Sequence, residues 1–140
     1  MASQKRSLKS FATVGGRVKA LSENFIIECK MKLIEAKREI LNRVRASRAE
    51  FQTLDRSGGD EADQTMHLLA ENDFLSAQSR LKQHLLEIEM ALARIQTGRF
   101  GICEETDEPI EYERLRALPW TRLSIEGAEI RESAQTRYAR

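Results

Sequence analysis

Ser57-Gly58-Gly59-Asp60-Glu61-Ala62-Asp63 interrupts the middle of this chain, and the reading of that stretch decides the fold. On either side, residues 17–57 and 60–97 contain neither glycine nor proline and are rich in Ala, Leu, Glu, Lys, Arg and Gln. Long segments of good helix formers without a breaker read as helices. In the first, apolar or small residues recur at Ile26, Cys29, Leu33, Ala36, Ile40, Val44, Ser47, Phe51 and Leu54. In the second they recur at Met66, Ala70, Phe74, Ala77, Leu81, Leu85, Ile88, Leu92 and Ile95. Steps of three and four alternate in both, which is the narrow seam of a coiled coil, and one extra step of four in each marks a stutter. The stripes are nearly equal, roughly 40 Å each at 1.5 Å per residue. Two equal stripes joined by Gly58-Gly59 predict an antiparallel hairpin rather than an extended dimeric coiled coil.

Charge singles out the end of that hairpin. Net charge over the 140 residues is +1, yet residues 55–63 hold Asp55, Asp60, Glu61 and Asp63 against Arg56 alone. Asp60 or Asp63 can cap the second helix, where a carboxylate meets unpaired N–H groups and the positive end of the dipole. Capping accounts for one carboxylate and leaves three.

Beyond Gly98 the pattern changes. Gly98-Arg99-Phe100-Gly101-Ile102-Cys103 and Glu108-Pro109-Ile110 predict two very short strands around a turn. Glu111 to Ala117 predicts one or two helical turns ended before Pro119, and Arg122 to Ala139 resumes a helical pattern. Leu8 to Leu21 reads as an N-terminal helix interrupted by Gly15-Gly16. These pieces form a small head filled by Phe11, Phe100, Tyr112 and Trp120.

Composition excludes several classes. Aromatic residues make up 6% and charged residues 32%, too polar for a large aromatic core, while 41% hydrophobic residues are too many for a disordered chain. No window approaches the roughly 18 apolar residues of a membrane span, so no membrane partner is expected. Cys29 and Cys103 cannot build a disulfide framework, which predicts a cytoplasmic protein. A net charge of +1 argues against direct DNA binding. No Cys/His dyad, carboxylate pair in a pocket or phosphate-binding glycine loop can be placed, so a non-enzyme is expected.

Two motifs in register resemble the DksA/TraR family of bacterial transcription factors. Gly98 to Cys103 matches the family's G-x-aromatic-G-x-C, and Ile110-Glu111-Tyr112-Glu113-Arg114-Leu115-Arg116-Ala117-Leu118-Pro119 is close to its I-x-x-x-R-L-x-A-x-P. Counting back, Asp60-Glu61-Ala62-Asp63-Gln64-Thr65 falls where the family carries D-x-x-D-x-A at its coiled-coil tip. The resemblance covers about residues 20–135. It implies a mainly α fold with three parts: an N-terminal segment or helix over 1–23, an antiparallel coiled coil over 24–97 with its tip at 55–65, and a zinc-finger-like region plus C-terminal helix over 98–140. It also implies insertion of the coiled coil into the secondary channel of bacterial RNA polymerase by a monomer. Asp60, Asp63 and Thr65 would then face the polymerase active site, and initiation would change without contact to DNA.

The departures are as specific as the matches. The family's C-x2-C-x17-C-x2-C spacing survives here as Cys103, Thr106, Ser124 and Gly127. Structural zinc takes four Cys or His donors in a tetrahedron, so zinc is expected to be absent and the finger degenerate. Glu104, Glu105 and Asp107 read as solvated surface, and His67 and His84 as exposed or stripe-flanking. Thr65 replaces the family's alanine. The basic positions that hold guanosine tetraphosphate in relatives align with Glu87, Leu118 and Ala128, so coupling to that nucleotide is not expected; Arg114, Arg116 or Arg122 could only substitute by rebuilding the site. A Gre-type transcript-cleavage factor and a helical adaptor are the alternatives, the first opposed by the finger-like tail.

Overall fold

The computed structural model describes residues 11–14, 17–53 and 60–139, and of residues 11–19 the backbone only. Its elements run β1 (Phe11–Val14), β2 (Arg17–Ala20), α1 (Glu23–Gln52), α2 (Glu61–Thr97), α3 (Tyr112–Ala117) and α4 (Ile125–Tyr138). The chain forms two compact units, Met1–Ile34 with Glu87–Arg140, and Glu35–Leu86. Among the described residues no helix is long and apolar enough to cross a membrane.

The long helices follow the seam pattern. Ser22 starts α1: its Oγ accepts from the Phe25 N–H at 3.2 Å, and its carbonyl accepts from Ile26 at 3.1 Å. Phe25, Cys29, Leu33 and Ile40 are buried on α1, and Ile88 and Ala91 on α2. The seam opens one residue earlier than the stripe suggests, with Phe25 buried and Ile26 half-buried. Pairing is antiparallel. Ile95, late in α2, packs on the cluster holding Phe25 and Cys29, while Phe51, late in α1, stacks on Phe74 with ring centroids 4.3 Å apart and planes 6° from parallel. That register leaves Met66, two turns before Phe74, with no α1 residue opposite because α1 ends at Gln52; Met66 is accordingly 67% exposed rather than in the seam. Leu54 and the Gly58-Gly59 turn lie outside the described residues.

The N-terminal piece is a correction to the sequence reading: it is a β-hairpin, not a helix. Phe11 pairs with Ala20 and Val14 with Arg17, leaving two residues between the strands. The β-branched Thr13, Val14 and Val18 favour extended backbone, and Gly-Gly is among the few pairs suited to a two-residue hairpin connection. A period-2 signal of four residues is easily mistaken for an interrupted helix. The Phe11 side chain, expected in the head, lies outside what is described.

Phe25, Cys29, Phe100, Cys103, Ile110 and Leu115 form the core of the first unit, with Leu21, Ile26, Ile95, Tyr112 and Leu123 packed on it. Tyr112 lies 4.4 Å from the Phe25 ring, tilted by 31°. Gly98 ends α2 with φ 75°, and Arg99 N–H donates to the Arg94 carbonyl at 2.9 Å while Gly98 N–H reaches Ile95 at 3.4 Å. This is a Schellman cap, whose left-handed residue glycine adopts without strain. The expected strands shrink to one bridge, Ile102 with Pro109.

Candidate functional site

The acidic end of the hairpin is built by the first turn of α2. Asp60 Oδ1 accepts from the Asp63 N–H at 3.0 Å and its carbonyl accepts from Gln64 at 3.1 Å, so Asp60 is the helix cap. Its side chain thereby satisfies one of the donors that every helix start leaves unpaired. Asp63 follows three residues later, exposed, near the positive end of the helix dipole. Thr65 is exposed, and its hydroxyl donates back to the Glu61 carbonyl at 3.0 Å. The added hydroxyl therefore bonds within its own helix and leaves the γ-methyl as the new chemistry at that position. Asp55 lies outside the described residues.

The four finger positions come together in the first unit. Cys103 is fully buried, in a turn where its N–H donates to the Glu108 carbonyl at 2.8 Å and its carbonyl accepts from Asp107 at 3.0 Å. Asp107 takes φ 56°, the left-handed conformation that closes such a turn. Ser124 caps α4, accepting from the Gly127 N–H at 3.0 Å, and Thr106 Oγ1 accepts from Glu108 N–H at 3.4 Å. Burial alone pushes the Cys103 thiol up; hydrogen bonds from the side chains and backbones of Ser124 and Thr106 outweigh it and bring the thiol down to about 7. A zinc ion does not fit these residues. They offer one sulfur and no imidazole, and a Cβ placed on Gly127 would stand 2.5 Å from Cys103 Sγ. Sulfurs around zinc at about 2.3 Å are held well apart by the tetrahedron. Among the described residues no cluster of three or more His, Cys, Asp or Glu could hold a metal ion. His67 is exposed and His84 half-buried.

Glu104, Glu105 and Asp107 are exposed, as the sequence reading expects, and the first two also pair with arginines. Arg131 Nε lies 2.9 Å from Glu105 Oε2 and its Nη2 3.5 Å from Glu104, which also meets Arg94 and Arg122, each at 3.9 Å. Arg94 in addition donates to the carbonyls of Trp120 at 3.2 Å and Thr121 at 3.4 Å. Burial pulls the Arg94 guanidinium below its ordinary value, with Glu104 opposing. Sequence reading missed this network because Glu105 and Arg131 are 26 residues apart and no local spacing joins them. Of the three positions for which the resemblance implied a lost basic residue, Glu87 and Ala128 are half-buried and Leu118 is 37% exposed. Arg114 is committed to the Leu123 carbonyl at 2.9 Å and Arg122 to Glu104.

Comparison with known proteins places this geometry. Residues 98–133 match the profile of the prokaryotic dksA/traR C4-type zinc finger. The RNA polymerase-binding transcription factor DksA of Caulobacter vibrioides is 34% identical over 103 residues, covering 74% of this chain and 72% of that one. Among solved structures, transcription factor DksA2 from Pseudomonas aeruginosa superposes with a TM-score of 0.72 at 30% identity, over 82% of this chain and 88% of the other. The RNA polymerase binding protein and transcriptional regulator Dks from Chlamydia trachomatis shares the fold at 21% identity and a TM-score of 0.51, over 82% and 95%.

Proposed function

The chain belongs to the DksA/TraR family, and from that premise we propose that it is a non-enzymatic transcription regulator acting on bacterial RNA polymerase through the secondary channel. On this reading the acidic hairpin end, with Asp60, Asp63 and Thr65, faces the polymerase active site. The protein acts without zinc and without guanosine tetraphosphate, and it contacts no DNA. One observation carries the reading: similarity to a polymerase-binding factor runs over 74% of the chain and is not confined to the finger. The arrangement of α2 supports it, since Asp63 is an exposed carboxylate that capping does not consume. Carboxylates at such a place act on a magnesium-centred site and on nearby bases through charge and hard oxygen donors.

The structure also makes a clean test available. Asparagine caps a helix as well as aspartate does, so Asp60→Asn keeps the bond to the Asp63 N–H while removing charge. The Asp60→Asn/Asp63→Asn variant should keep its helicity and bind polymerase within about 1–2 kcal/mol of the parent. Its effect on open-complex lifetime should largely disappear. Equal transcriptional effects of parent and variant would refute the assigned role, and failure of the parent to bind polymerase would refute the reading as a whole. Nucleotide release from stalled complexes should stay at the polymerase's own level, separating this protein from a cleavage factor.

A further inference from the structure

We propose that the family's metal position has become a metal-free latch in this chain, in which the Cys103 sulfur is held between the hydroxyls of Ser124 and Thr106 and packs against the bare backbone of Gly127. This rests on the zinc-free part of the reading above and says what replaces the ion.

Space is the first argument. A Cβ on Gly127 would meet Cys103 Sγ at 2.5 Å, Glu105 Cβ at 3.3 Å and Ser124 Oγ at 3.3 Å. Real Cβ atoms do not approach a sulfur that closely, so the backbone at 127 has closed onto the sulfur more tightly than any side-chain-bearing residue allows. Glycine is needed here for room and not for conformation, because positive φ among the described glycines belongs to Gly98 and Gly101. The second argument is the direction of the hydroxyls. Ser124 Oγ accepts from Gly127 N–H and Thr106 Oγ1 from Glu108 N–H, which leaves each O–H to donate to the sulfur between them. The sulfur thus joins the 103–108 turn to the start of α4, the two segments that a zinc ion joins in a four-cysteine finger. The third is the surrounding charge. Glu104 and Glu105 on the turn pair with Arg131 of α4, so the two segments are tied again outside the latch, and Glu111 at the start of α3 adds a bond from the Ile125 N–H at 3.3 Å.

A double-mutant cycle on the full chain, read as melting temperature, tests the contact. At other interior helix positions Gly→Ala raises stability; here Gly127→Ala should lower the melting temperature by about 5 °C or more. Cys103→Ala should also lower it. The Cys103→Ala/Gly127→Ala double variant should lose clearly less than the two single losses together, because removing the sulfur makes room for the new methyl. Additive losses would overturn the latch. If Gly127→Ala does not fold, the coupling is read with Thr106→Val, which removes the bond from the Glu108 N–H in either background and should therefore lower the melting temperature of the parent clearly more than that of Cys103→Ala; equal shifts in both backgrounds overturn the proposal. Zinc and a chelator, added separately to the parent, should leave its melting temperature in place. A zinc-dependent rise would refute the zinc-free reading itself, whereas an additive cycle with no zinc effect refutes the latch alone.

Discussion

The two compact units of this protein are stabilised differently. In Glu35–Leu86 only Ile40 and Gln78 are buried among the described residues, while Leu68, Leu69, Leu75 and Leu86 are each about half exposed or more. Its helices meet along a narrow seam, in which the Phe51–Phe74 stack supplies the largest side chains. The other unit buries Phe100, Ile110, Leu115, Cys29 and Cys103 completely and adds a network of arginines and glutamates around them. A two-helix seam offers each side chain one neighbouring surface; a core of helices and loops surrounds it on more sides. Stability should therefore concentrate in the first unit, leaving the acidic hairpin end on the less buried one.

The largest test of that contrast deletes an aromatic ring from each unit. Phe100→Ala should cost about 3–5 kcal/mol, the range for a fully buried phenylalanine, and Phe51→Ala, half-buried in its stack, about 1–2 kcal/mol. Urea unfolding followed by helicity and by Trp120 fluorescence measures both. Equal losses would erase the distinction.

A smaller effect should appear in alkali. Burial pushes the Cys29 thiol up to about 11, against the pull of Lys32 and with a lesser push from Glu28. The folded chain therefore keeps this proton at pH values where the unfolded chain, with its thiol near 9, has lost it. Linkage then makes the contribution constant below pH 9 and has it decline as pH rises from 9 to 11, by at most about 2–3 kcal/mol. Cys29→Ala should flatten that part of the stability–pH profile, and an unchanged slope would show that other groups govern it.

The smallest change is a gain. Gln78 is 7% exposed and its Nε2 has no hydrogen-bond partner. Burying an amide donor without a partner costs free energy, so Gln78→Met should raise stability by about 1 kcal/mol in urea titration. A loss instead would mean that the amide fixes the register of the seam, a role known for single polar residues in coiled coils.

The sequence by itself determined the long helices, their antiparallel pairing and the acidic end, because each rests on local periodicity, on glycine punctuation or on charge within a few residues. A cap at Asp60 or Asp63 was legible for the same reason, and the structure chose Asp60. Where the signal is short it failed: four extended residues on either side of Gly15-Gly16 did not declare a hairpin, and Met66 kept the seam spacing after the partner helix had ended. Motif spacing marked Cys103, Thr106, Ser124 and Gly127 as positions and revealed the missing ligands. Only the tertiary structure decided how those positions meet, since the approach of Gly127 to the Cys103 sulfur and the pairing of Glu104 and Glu105 with Arg94 and Arg131 join residues 10 or more apart with no shared period. Packing geometry, set by how the α2 end, the 103–108 turn and α4 meet, makes those contacts; no local propensity encodes them.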